Sequence, residues 1–420
     1  MPGQYKHLAR AFGAEGTHRI FFVTKHKTAH IEGVTRITYA MKKPEKPLAP
    51  HRYLTSATAA VMQGQQVWRV CEQLQRQEHF TPDIIICHPG WGDALLMKEL
   101  FPNAKILSFF EFYYRAAGAD VDFEKPATAD DLARVRMKNV TNLMSLEQAD
   151  WGISPTVWQW SLHPKDLRHK LSVLHDGVDV ASCKPNALAS VTLPSGKTFH
   201  AGDAVMTYVA RNFEPYRGFP TFMKAAEILL STRPNLHIIA VGADEVSYGR
   251  KAADGKTYRQ ILREQVTLDD ARMHFVGTLP YDDLLRVMQV SAAHLYLTYP
   301  FVLSWSMLEA MACGVAMVAS DTKPVREVVS HGINGLLADF HSPEDVAAKI
   351  GQLLDDTTRN AAMREAARAT VVARFDVEKL LPLHMQLVRE VAAGLIPPPV
   401  AKDIEAISPI ALYEQAMWEG

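Results

Sequence analysis

Two arginines in one short loop are the residues of this sequence best suited to binding phosphate. Arg211 and Arg217 lie in the Pro-containing segment RNFEPYRGF, which follows the apolar run AVMTYVA, and Gly218 then opens a segment of helical period. Ligands bind beyond the carboxyl ends of the strands in open α/β sheets. Two guanidinium groups near a helix N-terminus suit a diphosphate, through bidentate hydrogen bonds and charge. The alternative is a pair of solvated loop arginines.

A second candidate is Glu309, the one carboxylate of the stretch YPFVLSWSMLEAMACG. This stretch predicts a strand end, a loop and a short helix, with Ser304 or Ser306 as N-cap and Gly314 as left-handed C-terminal cap. The N–H groups of the loop and first turn offer another anion site. A carboxylate in the first turn is also favoured by the helix dipole alone. Glu309 is therefore either a ligand contact or a dipole-stabilising acid.

In the first half, His88 of DIIICHPGWGD and Glu111 of KILSFFEFYYR each come just past a predicted strand. Each could face a cleft between domains, but single His or Glu residues at strand ends are often structural or solvated. The adjacent His175 and Asp176 resemble a catalytic dyad only by adjacency, because neighbours on a strand point to opposite faces. We interpret them as turn formers.

Composition excludes several other classes of protein. With Lys+Arg 45 against Asp+Glu 46, the formal net charge of -1 predicts no nucleic-acid partner. The four cysteines are widely spaced, which predicts reduced thiols in a cytoplasmic compartment. No apolar run approaches the roughly 18–20 residues that span a bilayer, although peripheral contact with the inner membrane face stays open. No P-loop, dinucleotide fingerprint, nucleophile elbow or metal-ligand cluster is found, so we expect no metal and no cofactor.

Short apolar runs alternate with segments of helical period along most of the chain, which predicts βαβ units and parallel sheets. The longest helical segment of the first half spans 130–149. We predict two doubly wound Rossmann-like domains facing an interdomain cleft, with C-terminal helices crossing back. The predicted boundaries are an N-terminal acceptor-side domain at 1–185, a linker at 186–203, a C-terminal nucleotide-sugar domain at 204–375 and a helical crossing and tail at 376–420.

Several motifs in order make the chain resemble glycosyltransferase family 4, the retaining enzymes of GT-B fold. In the second half they are GVD, the Arg211–Arg217–Gly218 loop, HFVG, LEAMACG and SDTKPVREVVSHGINGLLAD. The first half is similar to a bacterial subgroup of that family through GQYKHLAR, HPGWGDALLMKELFP, FFEFYYR and NLMSLEQADWGISPTVWQ.

The resemblance implies metal-independent transfer of a sugar from a nucleotide-diphosphate donor, with retained anomeric configuration. Arg211 and Arg217 would neutralise the leaving diphosphate, and Glu309 would bind the ribose hydroxyls. Backbone amides near Leu303, Ser304 and Trp305 would approach the phosphate or sugar. Neutralisation of charge on the leaving group is a main source of catalysis in such reactions.

The sequence departs from the family pattern at three places. Phe301 replaces the first carboxylate of the usual Glu-x7-Glu, which leaves the identity of the donor sugar open. Glu111 stands where the family often has a histidine, so either Glu111 or His88 is expected as the catalytic residue of the first domain. The first strand of the subgroup should precede the loop in which this sequence begins. Either translation starts upstream, where we expect a short Val/Ile-rich strand, or the first domain lacks its opening strand.

Taken together, the sequence predicts a cytoplasmic hexosyltransferase of bacterial polysaccharide or glycoconjugate biosynthesis. Its donor would be a UDP- or GDP-sugar and its acceptor a glycan or lipid-linked sugar. Two alternatives stay open: a non-catalytic nucleotide-sugar-binding protein, and another GT-B activity such as a nucleotide-sugar epimerase or a phosphorylase.

Overall fold

The computed structural model describes residues 3–28, 30–41, 51–252 and 255–397, except for the side chain of Thr357. The chain divides into two compact units: unit 1 is Met1–Gly177 with Val377–Gly420, and unit 2 is Val178–Asp376. The short helix predicted near the C-terminus lies outside the described residues.

Unit 1 is built on a four-stranded parallel sheet of order β3-β4-β5-β6, with β1 and β2 as a separate parallel pair. The strands are β1 Ile20–Thr24, β2 Val34–Thr38, β3 Ile84–Cys87, β4 Lys105–Phe109, β5 Trp151–Ser154 and β6 Leu171–Val173. The helices are α1 Lys6–Glu15, α2 Thr55–Glu78, α3 Met97–Leu100, α4 Ala129–Lys138, α5 Val140–Gln148, α6 Val157–Ser161 and α14 Val377–Ala392.

The C-terminal helix α14 completes the core of unit 1. Its residues Leu380, Leu387 and Val391 pack with Leu8 of α1 and with buried side chains of β4 and β5. This apolar face repeats at helical spacing, as expected for a helix that covers a sheet.

Unit 2 contains a six-stranded parallel sheet of order β11-β10-β9-β12-β13-β14. Its strands are β9 Val205–Asn212, β10 His237–Ala243, β11 Met273–Gly277, β12 Ala293–Tyr296, β13 Met317–Ser320 and β14 Leu336–Ala338, and an antiparallel hairpin is formed by β7 Ser190–Thr192 and β8 Thr198–His200. The helices are α7 Phe219–Thr232, α8 Tyr258–Arg263, α9 Tyr281–Gln289, α10 Trp305–Ala312, α11 Lys323–Arg326, α12 Pro343–Asp355 and α13 Thr357–Arg374. The central strands are apolar almost throughout, which is typical of strands buried on both faces.

Two features differ from the expectation. The predicted helix at 130–149 is two helices, α4 and α5, which meet at Asn139. Residues 186–203, predicted as a linker, carry the β7–β8 hairpin and lie within unit 2. No helix among the described residues has both the length and the apolarity to cross a membrane.

Candidate functional site

The side chain of Arg217 is buried in unit 2 and connects several of its segments by hydrogen bonds. It ends the short turn Pro215–Arg217 after β9, and its residue is only 7% exposed. Its Nη1 donates to the hydroxyl of Tyr296 at 3.2 Å, to Oγ1 of Thr298 at 2.8 Å and to the carbonyl of Val302 at 3.2 Å. The solvated-loop alternative is therefore wrong for Arg217. Its charge is held where β12 ends and the next loop begins.

Arg211 has a different environment. It lies near the end of β9, and its side chain is exposed while its neighbours on the strand are buried. Arg211 is therefore an exposed charge at the carboxyl end of the strand, whereas the charge of Arg217 is buried and hydrogen-bonded. The structure shows no bond that joins the two.

A buried carboxylate, which was not among the predicted site residues, lies between these two arginines in the sequence. Glu214 is fully buried and accepts the backbone N–H groups of Ser247, Tyr248 and Gly249 at 3.0–3.2 Å. Three N–H donors satisfy a buried carboxylate without a cation. The ring of Tyr248 lies 5.4 Å from the guanidinium carbon of Arg217.

Two apolar side chains of the loop before α10 are buried. Phe301 and Leu303 are 5% and 8% exposed, whereas Trp305 is 37% exposed. Phe301 packs against Tyr248, with ring centroids 4.9 Å apart, and against Tyr216 at 5.6 Å. The position where a sugar-reading carboxylate was expected is therefore part of an aromatic cluster.

Helix α10 begins as predicted, since Ser304 is its N-cap and its hydroxyl accepts the Ser306 amide. Gly314 follows the helix with a φ of 69°, in the left-handed region. The Ser304 amide, however, donates to the hydroxyl of Tyr296 at 2.9 Å. Of the three amides predicted to approach phosphate or sugar, that of Ser304 is therefore already used within the fold.

Glu309 lies in the second turn of α10, which corrects the expectation of a first-turn residue. It is half-buried, and its Oε1 accepts a hydrogen bond from the hydroxyl of Tyr281 at 2.8 Å. That hydroxyl also lies 3.3 Å from Sγ of Cys183. Burial, then the charge of Glu309, raise the pKa of Tyr281, so the hydroxyl keeps its proton. Glu309 is thus an oriented acceptor rather than a group placed by the helix dipole alone.

In unit 1, the structure brings together the two residues between which the sequence could not choose. Nε2 of His88 lies 3.4 Å from Oε2 of Glu111. Nδ1 of His88 accepts the Gly90 amide at 3.1 Å, so in the neutral ring the proton is on Nε2 and faces the carboxylate. Gln4 donates to Oε1 of Glu111 at 3.3 Å. Glu111 remains 31% exposed in its side chain, while His88 is buried.

His175 and Asp176 lie in a turn, as predicted from the sequence. Nδ1 of His175 accepts the amide of Gly177, which has a φ of 86°, and His384 donates to the carbonyl of His175. Tyr281, Glu214 and Gln4 were missed because their contacts join residues distant in sequence. Within the described ranges, no three His, Cys, Asp or Glu side chains gather as metal ligands.

Two family models match the chain. The "Glycosyl transferase family 4 group" model matches residues 16–183, and the "Glycosyl transferases group 1" model matches residues 195–370. Together the two matches leave residues 1–15, 184–194 and 371–420 uncovered. Two parallel-sheet α/β units define the chain as a protein of GT-B fold. It belongs to the group 1, family 4 glycosyltransferases.

Curated relatives match over part of their length. The chain is 26% identical over 210 residues to a D-inositol 3-phosphate glycosyltransferase of Thermobispora bispora, a match that covers 49% of the chain and 47% of the relative. It is 27% identical over 173 residues to a GDP-mannose-dependent monoacylated alpha-(1-6)-phosphatidylinositol monomannoside mannosyltransferase of Corynebacterium glutamicum, over 39% of the chain and 42% of the relative. The chain thus spans about half the length of the curated relatives it matches.

Solved structures show the same fold over nearly the whole chain. Sucrose-phosphate synthase from Thermosynechococcus elongatus aligns with a TM-score of 0.66 at 18% identity, covering 92% of each chain. HepE from Anabaena, crystallised with UDP-glucose, aligns with a TM-score of 0.62 at 18% identity, covering 94% of this chain and 97% of that one. At such identities the likeness establishes the fold.

Proposed function

We propose that this chain is a metal-independent retaining glycosyltransferase of bacterial polysaccharide or glycoconjugate biosynthesis. It would transfer a sugar from a nucleotide-diphosphate donor to a glycan or lipid-linked acceptor, in the cytoplasm or at the inner membrane face. The observation that carries this proposal is the buried Arg217, whose Nη1 joins the end of β12 to the loop that opens the helix of Glu309. The hydrogen bonds of Arg217 thus hold the loop that leads into the helix of Glu309, whose carboxylate is itself oriented by Tyr281.

In the proposed reaction, the bond from the sugar C1 to the diphosphate oxygen breaks, and a bond from C1 to the acceptor oxygen forms on the same face. The acceptor hydroxyl proton passes to the departing phosphate oxygen. Arg211 and Arg217 would stabilise the charge that develops on this leaving group. Arg217 commits Nη1 to protein acceptors, so the phosphate would be met by the remaining N–H groups that the protein does not use. Because Arg217 is already ordered, little reorganisation accompanies the reaction.

Glu309 would accept hydrogen bonds from the ribose hydroxyls, with Tyr281 holding its carboxylate in place. Trp305 and Leu303 would supply backbone contacts to the donor, and Phe301 would form an apolar wall there instead of reading a sugar hydroxyl. In unit 1, the His88–Glu111 pair would serve the reacting sugar or the acceptor hydroxyl.

A panel of UDP- and GDP-sugars tests this proposal. The purified chain is incubated with each donor, with and without chelator, and released nucleoside diphosphate is measured. We expect turnover of one donor, insensitive to chelator, that falls by about a hundredfold or more in Arg217→Ala. Proton NMR of the product then reports whether the anomeric configuration is retained.

The other outcomes separate the alternatives. Tight donor binding with no turnover would support a non-catalytic binding protein, and conversion of the donor to an isomeric nucleotide sugar would support an epimerase. Turnover that is equal in Arg217→Ala and the wild-type chain would exclude the role given to this residue.

A further inference from the structure

Glu214 contacts the loops that follow two neighbouring strands of unit 2. It precedes the turn Pro215–Arg217 after β9, and its backbone carbonyl accepts the Arg217 amide at 3.1 Å. Its two carboxylate oxygens accept the backbone N–H groups of residues 247–249, in the loop after β10, at 3.0–3.2 Å. The backbone of Glu214 therefore holds the first loop, and its side chain holds the second.

The loop after β10 is joined to the end of β9 at two further points. The Phe213 amide donates to the Ala243 carbonyl at 2.8 Å, and Nδ2 of Asn212 donates to Oγ of Ser247 at 2.5 Å. Asn212 and Ala243 are also partners in the strand pairing. The loop thus leaves the sheet in a defined register, and the carboxylate of Glu214 extends this connection beyond Ser247.

The charges of Glu214 and Arg217 are not paired with each other, although both residues are buried and close in sequence. In the part of the chain that the structure describes, Nη1 of Arg217 donates to two hydroxyl groups and one carbonyl, and not to a carboxylate. A direct pair of these buried groups would neutralise the cation. Because the loop amides satisfy the carboxylate of Glu214 instead, the positive charge of Arg217 stays available to an anionic ligand.

The loop that Glu214 holds also brings an aromatic ring to Arg217. The ring of Tyr248 lies 5.4 Å from the guanidinium carbon of Arg217, and it packs against Phe301 with ring centroids 4.9 Å apart. The Val302 carbonyl, which accepts from Nη1, belongs to the loop before α10. Arg217 therefore contacts both the loop after β10 and the loop before α10.

We propose that Glu214 is a positioning residue for the donor diphosphate, which holds the loop after β10 beside Arg217 and leaves that cation unpaired. The inference rests on the function proposed above and adds a residue that acts without touching the donor, since Glu214 is 0% exposed. A loop that is already ordered requires little reorganisation when the donor binds. Loss of this order would misplace the groups around the phosphate, and small misplacements slow reactions strongly.

The test compares Glu214→Ala, Glu214→Gln and the control Glu245→Gln. Glu245 lies in the same loop but is exposed, so the control makes the same chemical change outside the buried contacts. Donor kcat/KM is measured from released nucleoside diphosphate, with the donor found by the panel above. Binding of UDP and GDP is measured by calorimetry, which does not require turnover.

Rescue by a small anion distinguishes positioning from a general effect on the fold. Each measurement on Glu214→Ala is repeated with sodium formate, whose carboxylate is small enough to occupy the space that the side chain leaves. Sodium chloride at the same ionic strength is the salt control. Melting temperatures of all variants are measured alongside, and if Glu214→Ala is unfolded at the assay temperature, the kcat/KM criterion is applied to Glu214→Gln.

We expect Glu214→Ala to lower donor kcat/KM by about tenfold and to weaken binding of the nucleoside diphosphate by a similar factor. Formate, and not chloride, should recover about threefold of each loss, because a carboxylate again meets the loop amides. Glu214→Gln should lose less than Glu214→Ala, since its amide keeps one acceptor oxygen. Glu245→Gln should stay within about twofold of the wild-type chain.

Two results would overturn the inference. One is a donor kcat/KM in Glu214→Ala within about twofold of the wild-type value. The other is a loss that formate restores no better than chloride, which would assign Glu214 to the fold in general. If the wild-type chain binds UDP or GDP but turns over no donor, the proposed function fails, and the binding measurements alone decide the role of Glu214. A wild-type chain that binds neither nucleotide would contradict both.

Discussion

At the scale of single residues, Arg217 illustrates how one charged group is both structural and a candidate for chemistry. Its Nη1 satisfies the Tyr296 hydroxyl, Thr298 Oγ1 and the Val302 carbonyl. A lysine preserves the charge but cannot reproduce a planar fork of donors, so some of these buried acceptors would lose their partner.

We therefore predict that Arg217→Lys lowers the free energy of unfolding by about 2 kcal/mol. Arg211→Lys is the matched control, and because Arg211 is exposed its effect should stay within about 0.5 kcal/mol. Urea unfolding followed by circular dichroism measures both. Equal, small effects would mean that the contacts of Arg217 contribute little to the fold.

Tyr281 is the residue that orients Glu309, and its removal tests the role given to that carboxylate. Tyr281→Phe deletes the 2.8 Å hydrogen bond without changing the shape of the ring. If Glu309 binds the ribose in both ground and transition states, donor KM should rise by about fivefold with kcat nearly unchanged.

Steady-state kinetics with the preferred donor check this prediction. Tyr258→Phe serves as the control, because Tyr258 lies on α8, where its hydroxyl donates to the Arg250 carbonyl, and its loss should not affect donor KM. A fall in kcat with constant KM in Tyr281→Phe would assign Glu309 to the chemical step instead.

At the scale of elements, the turn between β9 and α7 depends on Gly218. This residue has a φ of 65°, and a Cβ there would lie 2.4 Å from Cβ of Leu297. Gly196, in the turn between β7 and β8, also has a positive φ, of 85°, but nothing lies within 4 Å of a Cβ at that position. Substitution at Gly196 therefore tests backbone strain alone, whereas substitution at Gly218 tests backbone strain together with a steric clash.

We predict that Gly196→Ala lowers the free energy of unfolding by about 1 kcal/mol, because alanine is strained in the left-handed backbone conformation. Gly218→Ala should cost more than about 2 kcal/mol, because Leu297 must also move. Thermal unfolding of both variants gives the comparison. Equal losses of stability would show that Leu297 moves aside without strain.

The elements that the sequence predicted are those whose signal is local. The apolar runs of β4, β9 and β10 and the cap residues of α10 were readable, since burial and capping act within a few residues. The break at Asn139 was not, because it depends on a tertiary contact: Oδ1 of Asn139 accepts the Tyr114 amide and Nδ2 donates to the Tyr114 carbonyl. The β7–β8 hairpin did have a signal, the turn residues PSG between alternating strands, and its Gly/Pro content led us to predict a linker.

The residues of the candidate site were likewise predictable only where a local sequence pattern marks them. Arg211, Arg217 and Glu309 were found from loop and helix patterns, whereas the contact between His88 and Glu111 joins residues that no local pattern relates. Glu214 was missed for the same reason, since its partners are backbone amides of a distant loop.

At the scale of the whole molecule, each unit contains a buried neutral histidine that makes stability depend on pH. In unit 1, the pKa of His163 is lowered to about 4, mainly by burial and also by the nearby Arg168 and Arg115, while the Trp160 and Gln159 carbonyls partly oppose this shift. In unit 2, burial lowers the pKa of His294 to about 4, and its Nδ1 lies 2.8 Å from Oγ1 of Thr207. Both rings are 0% exposed.

The direction in which folding stability changes with pH follows from proton linkage. An unfolded histidine has a pKa of about 6.5, so between about pH 6.5 and about pH 4 the unfolded chain binds more protons than the folded one. Stability is therefore fully present above about pH 6.5 and falls as the pH is lowered, by up to about 3 kcal/mol for each histidine.

We predict that the urea midpoint of the wild-type chain falls steadily between about pH 7 and about pH 5. His294→Asn removes one of these two fully buried rings, so its midpoint should be lower at neutral pH and less dependent on pH. His200→Asn, on the exposed face of β8, should keep the wild-type slope because that ring is not buried. Fluorescence-detected urea titrations at several pH values measure the three slopes. A His294→Asn slope equal to that of the wild-type chain would show that the ring of His294 is not held neutral by the fold.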